Sequence, residues 1–343
     1  MSQPLLSSQE PTAAPHGLVV IGTSAGGVAA LSTLVARLPA EFPFPIVVVL
    51  HVGVQPSILP EILSARGSLP AVHASNEERM MAGRIYVARP DCHLIVEDGH
   101  LQLSKGPKEH FTRPAIDPLF RSAALAYGPA AIGVILTGTM EDGTAGLQAI
   151  KQCGGIAIVQ DPADAQAPGM PRSALKYVEV DHCGPIESIA DALVGYAASP
   201  PATRTPASAS RSDLVHEQEL FLAEGDPMEH LPAIASPSGF VCPDCQGGLW
   251  RLHGNAPIRF RCHTGHAYTL KTLQAAFAET SDSALWSALR ALQEQVLLLE
   301  MTIGQLRREK DAAEVSRVES LLDALRKEVH NLRSLIERHS TAS

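Results

Sequence analysis

The sequence predicts an α/β protein: a doubly wound, mostly parallel sheet, then a small cysteine-bearing unit, then a helical hairpin or coiled coil. Three observations lead there. Between His16 and Ala198 short β-branched runs alternate with helical stretches, as in strands joined by crossover helices. Cys242, Cys245 and Cys262 cluster with His263 and His266 within 25 residues. From Leu285 apolar residues recur in steps of four and three, with no Gly or Pro except Gly304.

The elements follow in order. Residues 1–15 read as a disordered tail, without the basic start or apolar core of a secretion signal. LVVIG at 18–22 is the first buried strand, feeding the turn GTSAGG and the helix VAALSTLVARL; PIVVVLH at 45–51 is the second. A short helix near SILPEILSARG precedes extended segments at PAVHA, GRIYVAR and HLIVEDGHLQLSK, the last two read as a hairpin. The helix DPLFRSAALAYG, the strand AIGVILTG at 131–138, the helix TAGLQAIKQCG, the strand IAIVQD and a helix near 186–197 complete one domain over 16–198. Residues 199–239 turn to Pro, Ala, Ser and Thr and read as a linker, carrying one amphipathic piece at LVHEQELFLAE, a docking helix or a transient helix, whose partner stays open. The cysteine unit occupies 240–270. Over 271–343 two apolar seams, Leu285 to Leu306 and Val318 to Ile336, are out of register across RREKDAAEV, which fits an antiparallel pair or one helix with a phase break.

Charge and composition exclude several classes. With 27 Lys and Arg against 36 Asp and Glu, the formal charge of −9 has the wrong sign for general nucleic-acid binding. Apolar runs fall short of the roughly 18 residues of a membrane span, so direct membrane insertion is not expected. Six cysteines in 343 residues are too sparse for a disulfide scaffold and fit a reducing cytoplasm, with Cys92, Cys153 and Cys183 as plain thiols.

Three strand ends carry chemistry. Gly22-Thr23-Ser24-Ala25-Gly26 matches Gly-x-Ser-x-Gly where a strand passes into a helix, a turn that holds a serine out of the sheet near unpaired helix N–H groups. The same turn also suits a phosphate, but Gly-x-Gly-x-x-Gly and an acidic ribose partner are lacking. His51 ends the second strand and Asp142 lies just past AIGVILTG, so nucleophile, base and orienting carboxylate converge on one sheet edge. The chain order Ser, His, Asp differs from the Ser, Asp, His of α/β-hydrolases, so the turn is a convergent likeness. His73, His93, His100 and His110 read as surface or packing residues.

Cys242-Pro-Asp-Cys245 and Cys262-His-Thr-Gly-His266 form two facing knuckles, a zinc-ribbon-like unit. Thiolates with an imidazole suit tetrahedral zinc, and four closed ligands suit a structural ion. Cys242, Cys245 and Cys262 are the firm ligands. His266 is preferred to His263 as the fourth, because the spacing leaves room for a turn through Gly265.

The segments IGTSAGG, VVLHV, TRPAIDPLF, GVILTGTMEDGTAG and APGMPRSA resemble, in order and spacing, the catalytic domain of CheB-type protein-glutamate methylesterases. The resemblance implies hydrolysis of glutamate γ-methyl esters on methylated chemoreceptor-like proteins, possible deamidation of receptor glutamines, no catalytic cofactor, and Ser24, His51 and Asp142 as the triad. It also marks departures. Familiar members carry a receiver domain, whereas only about sixteen residues precede the first strand here, so that switch is not expected in cis. Thr139 stands where a methionine is expected, and Met140 and Glu141 replace Gly-Asn in the turn that presents Asp142, which leaves room for a different active-site geometry or substrate preference. Arg113 and Asp117 match the family's Arg-Pro-x-x-Asp segment and read as a buried structural ion pair ahead of substrate contacts. The zinc unit and the helices read as an appended regulatory or docking module, with self-association through the helices. A catalytically silent adaptor is the alternative.

Overall fold

The computed structural model describes residues 15–51, 53, 55–198, 208–254 and 256–342. The tail expected at 1–15, Pro15 apart, and the linker run from 199 to 207 lie outside the described residues.

Strands β1 (Leu18–Thr23) and β2 (Ile46–Leu50) flank helix α1 (Gly27–Val35). After α2 (Leu59–Arg66) come β3 (Ala71–His73), β4 (Glu78–Arg79), β5 (Ile85–Val87), β6 (His93–Glu97) and β7 (His100–Ser104). Then follow α3 (Ile116–Tyr127), β8 (Ala131–Ile135), α4 (Thr144–Gln152), β9 (Ile156–Gln160), α5 (Gly169–Tyr177), β10 (His182–Gly184) and α6 (Ile186–Ala198). Seven strands form one sheet in the order β10-β9-β8-β1-β2-β5-β3, with its described pairings parallel.

Strand residues alternate between two buried faces, so near-continuous apolar runs are what this sheet requires. Leu18, Val20, Val47 and Val49 pack with Phe120, Leu147 and Ile150 of α3 and α4. Val19, Ile21, Ile46 and Val48 pack with Leu31, Leu34, Leu63 and Leu193 of α1, α2 and α6. The domain is therefore doubly wound. The chain leaves β1 first toward β2 and later returns to β8 on its other side, which puts the switch point at the carboxyl end of β1, where such sheets bind ligands.

Two local expectations are corrected. GRIYVAR does not pair with HLIVEDGHLQLSK; it enters the main sheet as β5, while β6 and β7 form the hairpin between themselves. Asp98 and Gly99, at φ 45° and 78°, supply the left-handed pair that a two-residue hairpin turn needs. The linker expected over 199–239 also gives way to structure from Ser208 onward. There α7 (Ser208–Leu222) and α8 (Pro227–Ile234) form, and β11 (Ala235–Val241) begins. The partner of the amphipathic piece is α3: Phe221 of α7 is buried, stands edge-on to His93 with ring centroids 5.0 Å apart, and lies 5.5 Å beneath the Arg121 guanidinium.

β11, β12 (Gly248–Leu252), β13 (Arg259–Cys262) and β14 (Ala267–Thr269) form an antiparallel sheet in chain order. This segment, expected as a unit of its own, belongs to the compact unit that runs to Thr272. The His110 N–H donates to the Ala267 carbonyl at 2.9 Å. A second compact unit covers Leu273–Ser343 and contains most of α9 (Leu270–Glu309) and all of α10 (Ala312–Ala342). Within it Ile303, Val318 and Leu322 bury one another, and Arg307–Glu319 and Arg326–Glu300 contacts at 2.6 and 2.7 Å set the two helices antiparallel. Among the described residues no helix is long and apolar enough to cross a membrane.

Candidate active site

The site is built at the carboxyl ends of β1, β2 and β8. Thr23 pairs with Leu50 across β1 and β2, and one step further in that register sets Ser24 beside His51. Gly26 ends the serine turn at φ 80°, a left-handed conformation that lets the chain swing directly into α1. Thr137 ties this turn down: its carbonyl accepts from the Ser24 N–H at 2.9 Å and the Thr23 hydroxyl at 2.8 Å, and its hydroxyl donates to the Ala25 carbonyl at 2.9 Å. Gly138 follows, and a Cβ there would meet Met170 Sδ at 2.1 Å and Ser24 Cβ at 3.0 Å. The segment APGMPRSA thus supplies a wall of the serine turn through Met170.

His51 Nε2 lies 2.8 Å from Asp142 Oδ2, with the histidine side chain 14 % exposed and the aspartate 3 %. Asp142 is held from a second side by α3, whose first N–H groups, of Ile116 and Asp117, donate to Oδ2 and Oδ1 at 2.7 and 3.0 Å. A carboxylate at a helix amino terminus is favoured by the unpaired donors there. Burial pushes the Asp142 carboxyl up, but the His51 hydrogen bond and charge, the charge of His110 and the Ile116 N–H outweigh it and hold it below its ordinary value. The departures at 139–141 form the turn before Asp142, with Met140 at φ 66°. Ser24 remains partly exposed.

Behind Asp142 lies a layer that sequence reading placed elsewhere. Arg113 and Asp117 do not pair with each other. Arg113 Nε donates to Asp91 at 2.9 Å and Nη1 to the Lys105 and Gly106 carbonyls, while Asp117 takes the Gly146 N–H at 2.6 Å and pairs with His110 Nε2 at 3.0 Å. His110, expected at the surface or in simple packing, is buried. Burial lowers the His110 pKa, but the Asp117 hydrogen bond and the charges of Asp142 and Asp117 raise it to about 9. An unfolded histidine titrates near 6.5, so the His110 charge stabilises the fold below about pH 6.5 and that contribution is lost as pH rises through about 9, while burial raises the Asp117 carboxyl and ends the pair on the acid side where that carboxyl takes up a proton. The urea midpoint of the wild type is expected to fall across that window, and that of His110→Gln to stay flatter; parallel slopes would disprove the ion pair. His93 behaves oppositely: burial drives it to about 4, and Nε2 donates to the Pro107 carbonyl while Nδ1 accepts the Ala115 N–H.

Next to His110, Glu109 enters a buried cluster. Its Oε1 receives Arg121 Nη2 at 3.0 Å and Arg261 Nη2 at 2.7 Å, and Arg261 Nη2 also reaches Glu217 Oε1 at 2.9 Å. Arg121 and Arg259 reach the same Glu217 oxygen at 3.2 and 2.8 Å. Burial pushes both carboxyls up, yet the guanidinium groups prevail, holding Glu217 at about 2 and Glu109 well below the usual range. Glu109 and Arg121 come from the sheet domain, Glu217 from α7 and Arg261 from β13.

The second predicted set also comes together. Sγ of Cys242, Cys245 and Cys262 and one nitrogen of His266 all lie within 4.8 Å of one another, with Cys245 Sγ 3.6 Å and His266 Nδ1 3.5 Å from Cys262 Sγ. His263 instead packs against Gly247. Two turns shape the knuckles, the Gln246 N–H donating to the Cys242 carbonyl at 2.8 Å and the Gly265 N–H to the Cys262 carbonyl at 2.9 Å. The Cys242 thiol is drawn down to about 3, chiefly by its hydrogen bond with Cys262. A tetrahedral ion with bonds of about 2.3 Å to sulfur has ligand edges of about 3.8 Å, so the donor set fits zinc.

Fold and site together define an α/β domain that presents a serine on a glycine-rich turn, next to a histidine joined to a buried aspartate, at the switch point of a parallel sheet. The chain belongs to the CheB methylesterase family, whose model matches residues 19–193. A relative from Leptospira interrogans is 41 % identical over 178 residues, covering 51 % of this chain and 92 % of its own. The protein-glutamate methylesterase/protein-glutamine glutaminase 4 of Geobacter metallireducens is 37 % identical over 201 residues, and the match spans 57 % of each chain. The crystal structure of the Thermotoga maritima CheB methylesterase catalytic domain aligns with a TM-score of 0.50 at 34 % identity, over 52 % of this chain and 97 % of that one.

Proposed function

We propose that the chain hydrolyses glutamate γ-methyl esters on cytoplasmic helices of chemoreceptor-like proteins, with Ser24, His51 and Asp142 as its triad. The 2.8 Å bond from His51 to the buried Asp142, in register beside Ser24, is the observation that carries this reading. Asp142 occupies Nε2, so Nδ1 is the nitrogen left to take the Ser24 proton. Ser24 Oγ attacks the ester carbonyl, backbone N–H groups at the start of α1 hold the oxyanion, and methanol leaves with the proton from His51. Water, deprotonated by the same ring, then cleaves the acyl-serine to glutamate. A glutamine substrate follows the same path with ammonia as the leaving group.

The test is methanol release from membranes bearing methylated receptors, with ammonia release from a glutamine-bearing receptor beside it. Turnover accompanied by labelling of Ser24 with a serine-directed phosphonate supports the enzyme. Inertness on both substrates together with receptor binding would favour a silent adaptor.

Zinc at Cys242, Cys245, Cys262 and His266 belongs to the same reading as a structural ion, holding β13 and β14 so that Arg261 and the Ala267 carbonyl meet Glu109 and His110. Stripping it with a chelator, or Cys245→Ser, is expected to unfold the β11 to β14 segment by hydrogen exchange. It should also lower ester hydrolysis on the order of 10- to 100-fold through misplacement of the loop leading to α3. Unchanged exchange after metal removal would sink this role. For α9 and α10 the proposed reading is a helical hairpin whose exposed Leu297, Leu298, Met301 and Leu321 serve self-association.

A further inference from the structure

Outside the cysteine cluster, His216 and Glu219 of α7 and His230 of α8 turn toward one another. His216 Nδ1 and His230 Nδ1 are 3.1 Å apart, and Glu219 Oε2 lies 3.5 Å from the first and 3.1 Å from the second. The three side chains are between 12 % and 35 % exposed, so the trio is partly shielded yet reachable.

With both rings neutral, the protons of this trio do not satisfy it. His230 Nε2 lies 3.1 Å from the Glu224 carbonyl, which can only accept, so in the neutral ring Nε2 carries the hydrogen and Nδ1 a lone pair. That lone pair points at a carboxylate oxygen 3.1 Å away, itself an acceptor, and at the Nδ1 of a second imidazole. One hydrogen on His216 can serve only one of these contacts. A cation at the centre serves all three. A histidine that gives its other N–H to a backbone carbonyl is also in the arrangement metal-bound imidazoles adopt.

The spacing selects the ion. Bonds of about 2.0–2.1 Å to nitrogen and oxygen in a tetrahedron give edges of about 3.3 Å, and the three observed edges bracket that value. Two imidazoles with one carboxylate suit zinc and its neighbours and disfavour magnesium or calcium, which prefer oxygen ligands.

We propose that His216, Glu219 and His230 form a second metal site, for Zn2+ or a chemically similar divalent ion, with a fourth position left to water. His216 and Glu219 stand three apart on one face of α7, and His230 reaches them across the turn at Ala223 and Gly225, both with positive φ. The ion clips α8 to α7. Glu217, between the two α7 ligands, points the other way into the buried arginine cluster, so the clip steadies the helix that supplies that carboxylate.

The full chain, freed of metal, is titrated with Co2+ and then Zn2+ against a chromophoric chelator, beside His216→Gln/His230→Gln and, separately, Glu219→Gln. The wild type is expected to bind one equivalent more than the double variant, and Zn2+ to raise its melting temperature more. The thiolate-to-cobalt band of the cysteine cluster should be the same in both. Mg2+ should not compete. Equal stoichiometry in wild type and double variant overturns the proposal. If the double variant loses the thiolate band through misfolding, the Glu219→Gln chain decides: an undiminished affinity for the additional ion refutes the site, and a weakened one supports it.

Discussion

Replacing Ser24 with alanine is expected to lower receptor methyl ester hydrolysis by about 10⁴-fold or more while leaving receptor binding and the melting temperature nearly unchanged. The loss is that large because the attacking atom itself is gone, and His51 has nothing else in register to activate. Ser24 is partly exposed at the end of a strand whose own residues carry the packing, so removing its hydroxyl leaves Val19 to Thr23 in place. Asp142→Asn should cost a comparable factor in rate, since the histidine then loses its orienting charge. It should also cost stability, because Asp142 is buried and accepts two N–H groups from α3. The contrast is the diagnostic: rate alone for Ser24, rate and urea midpoint together for Asp142. A Ser24→Ala protein that keeps its rate would remove the triad from the reading.

The second large effect concerns stability. Arg261→Met should destabilise the chain by about 3 kcal/mol, because Glu109 and Glu217 stay buried and lose one of the two guanidinium groups they share, Arg121 being the other. That is a large part of the roughly 5–15 kcal/mol that holds a typical domain. Breaking Arg307–Glu319, whose partners are 65 % and 43 % exposed, should be nearly silent, since water and salt already screen such a pair. Urea midpoints of the two variants measure the difference, and equal shifts would refute the cluster's role. Rate should fall as well in Arg261→Met, because Glu109 adjoins His110, and His110 holds Asp117 at the start of the helix that grips Asp142.

The central strands β1, β2, β8 and β9 were legible because each announces itself locally, by a β-branched run ending in a polar turn, and Ser24, His51 and Asp142 each sit at such an end, whereas β10, with no β-branched residue, was not read. The cysteine knuckles were legible for the same reason of short spacing. What escaped reading was long-range. Glu109, Arg121, Glu217 and Arg261 are scattered charges of the kind that usually face water, and only folding reveals that they share one dry space. His110 looked ordinary because its partner is set by the entry angle of α3. The pairing of Arg113 with Asp91 rather than Asp117 likewise depends on where the loop before α3 lies. Composition misled in the linker, where Pro, Ala and Ser give way at Ser208 to a helix whose buried Leu214 and Phe221 need α3 as a surface and whose Leu220 packs with Leu231 and Ile234 of α8.

The place of β1 in the sheet bears on how the molecule is made. During synthesis β1 gains β2 early, but its other edge, apolar on both faces, stays open until Ala131–Ile135 emerges from the ribosome and docks. Over that interval the nascent chain carries an unpaired strand ready to join a stranger's, and contacts of such long sequence separation form slowly. Closing that edge is the same event that delivers the β8 end, and with it Asp142, to His51. A half-made chain is therefore sticky and without a site, and the step that ends the one condition ends the other.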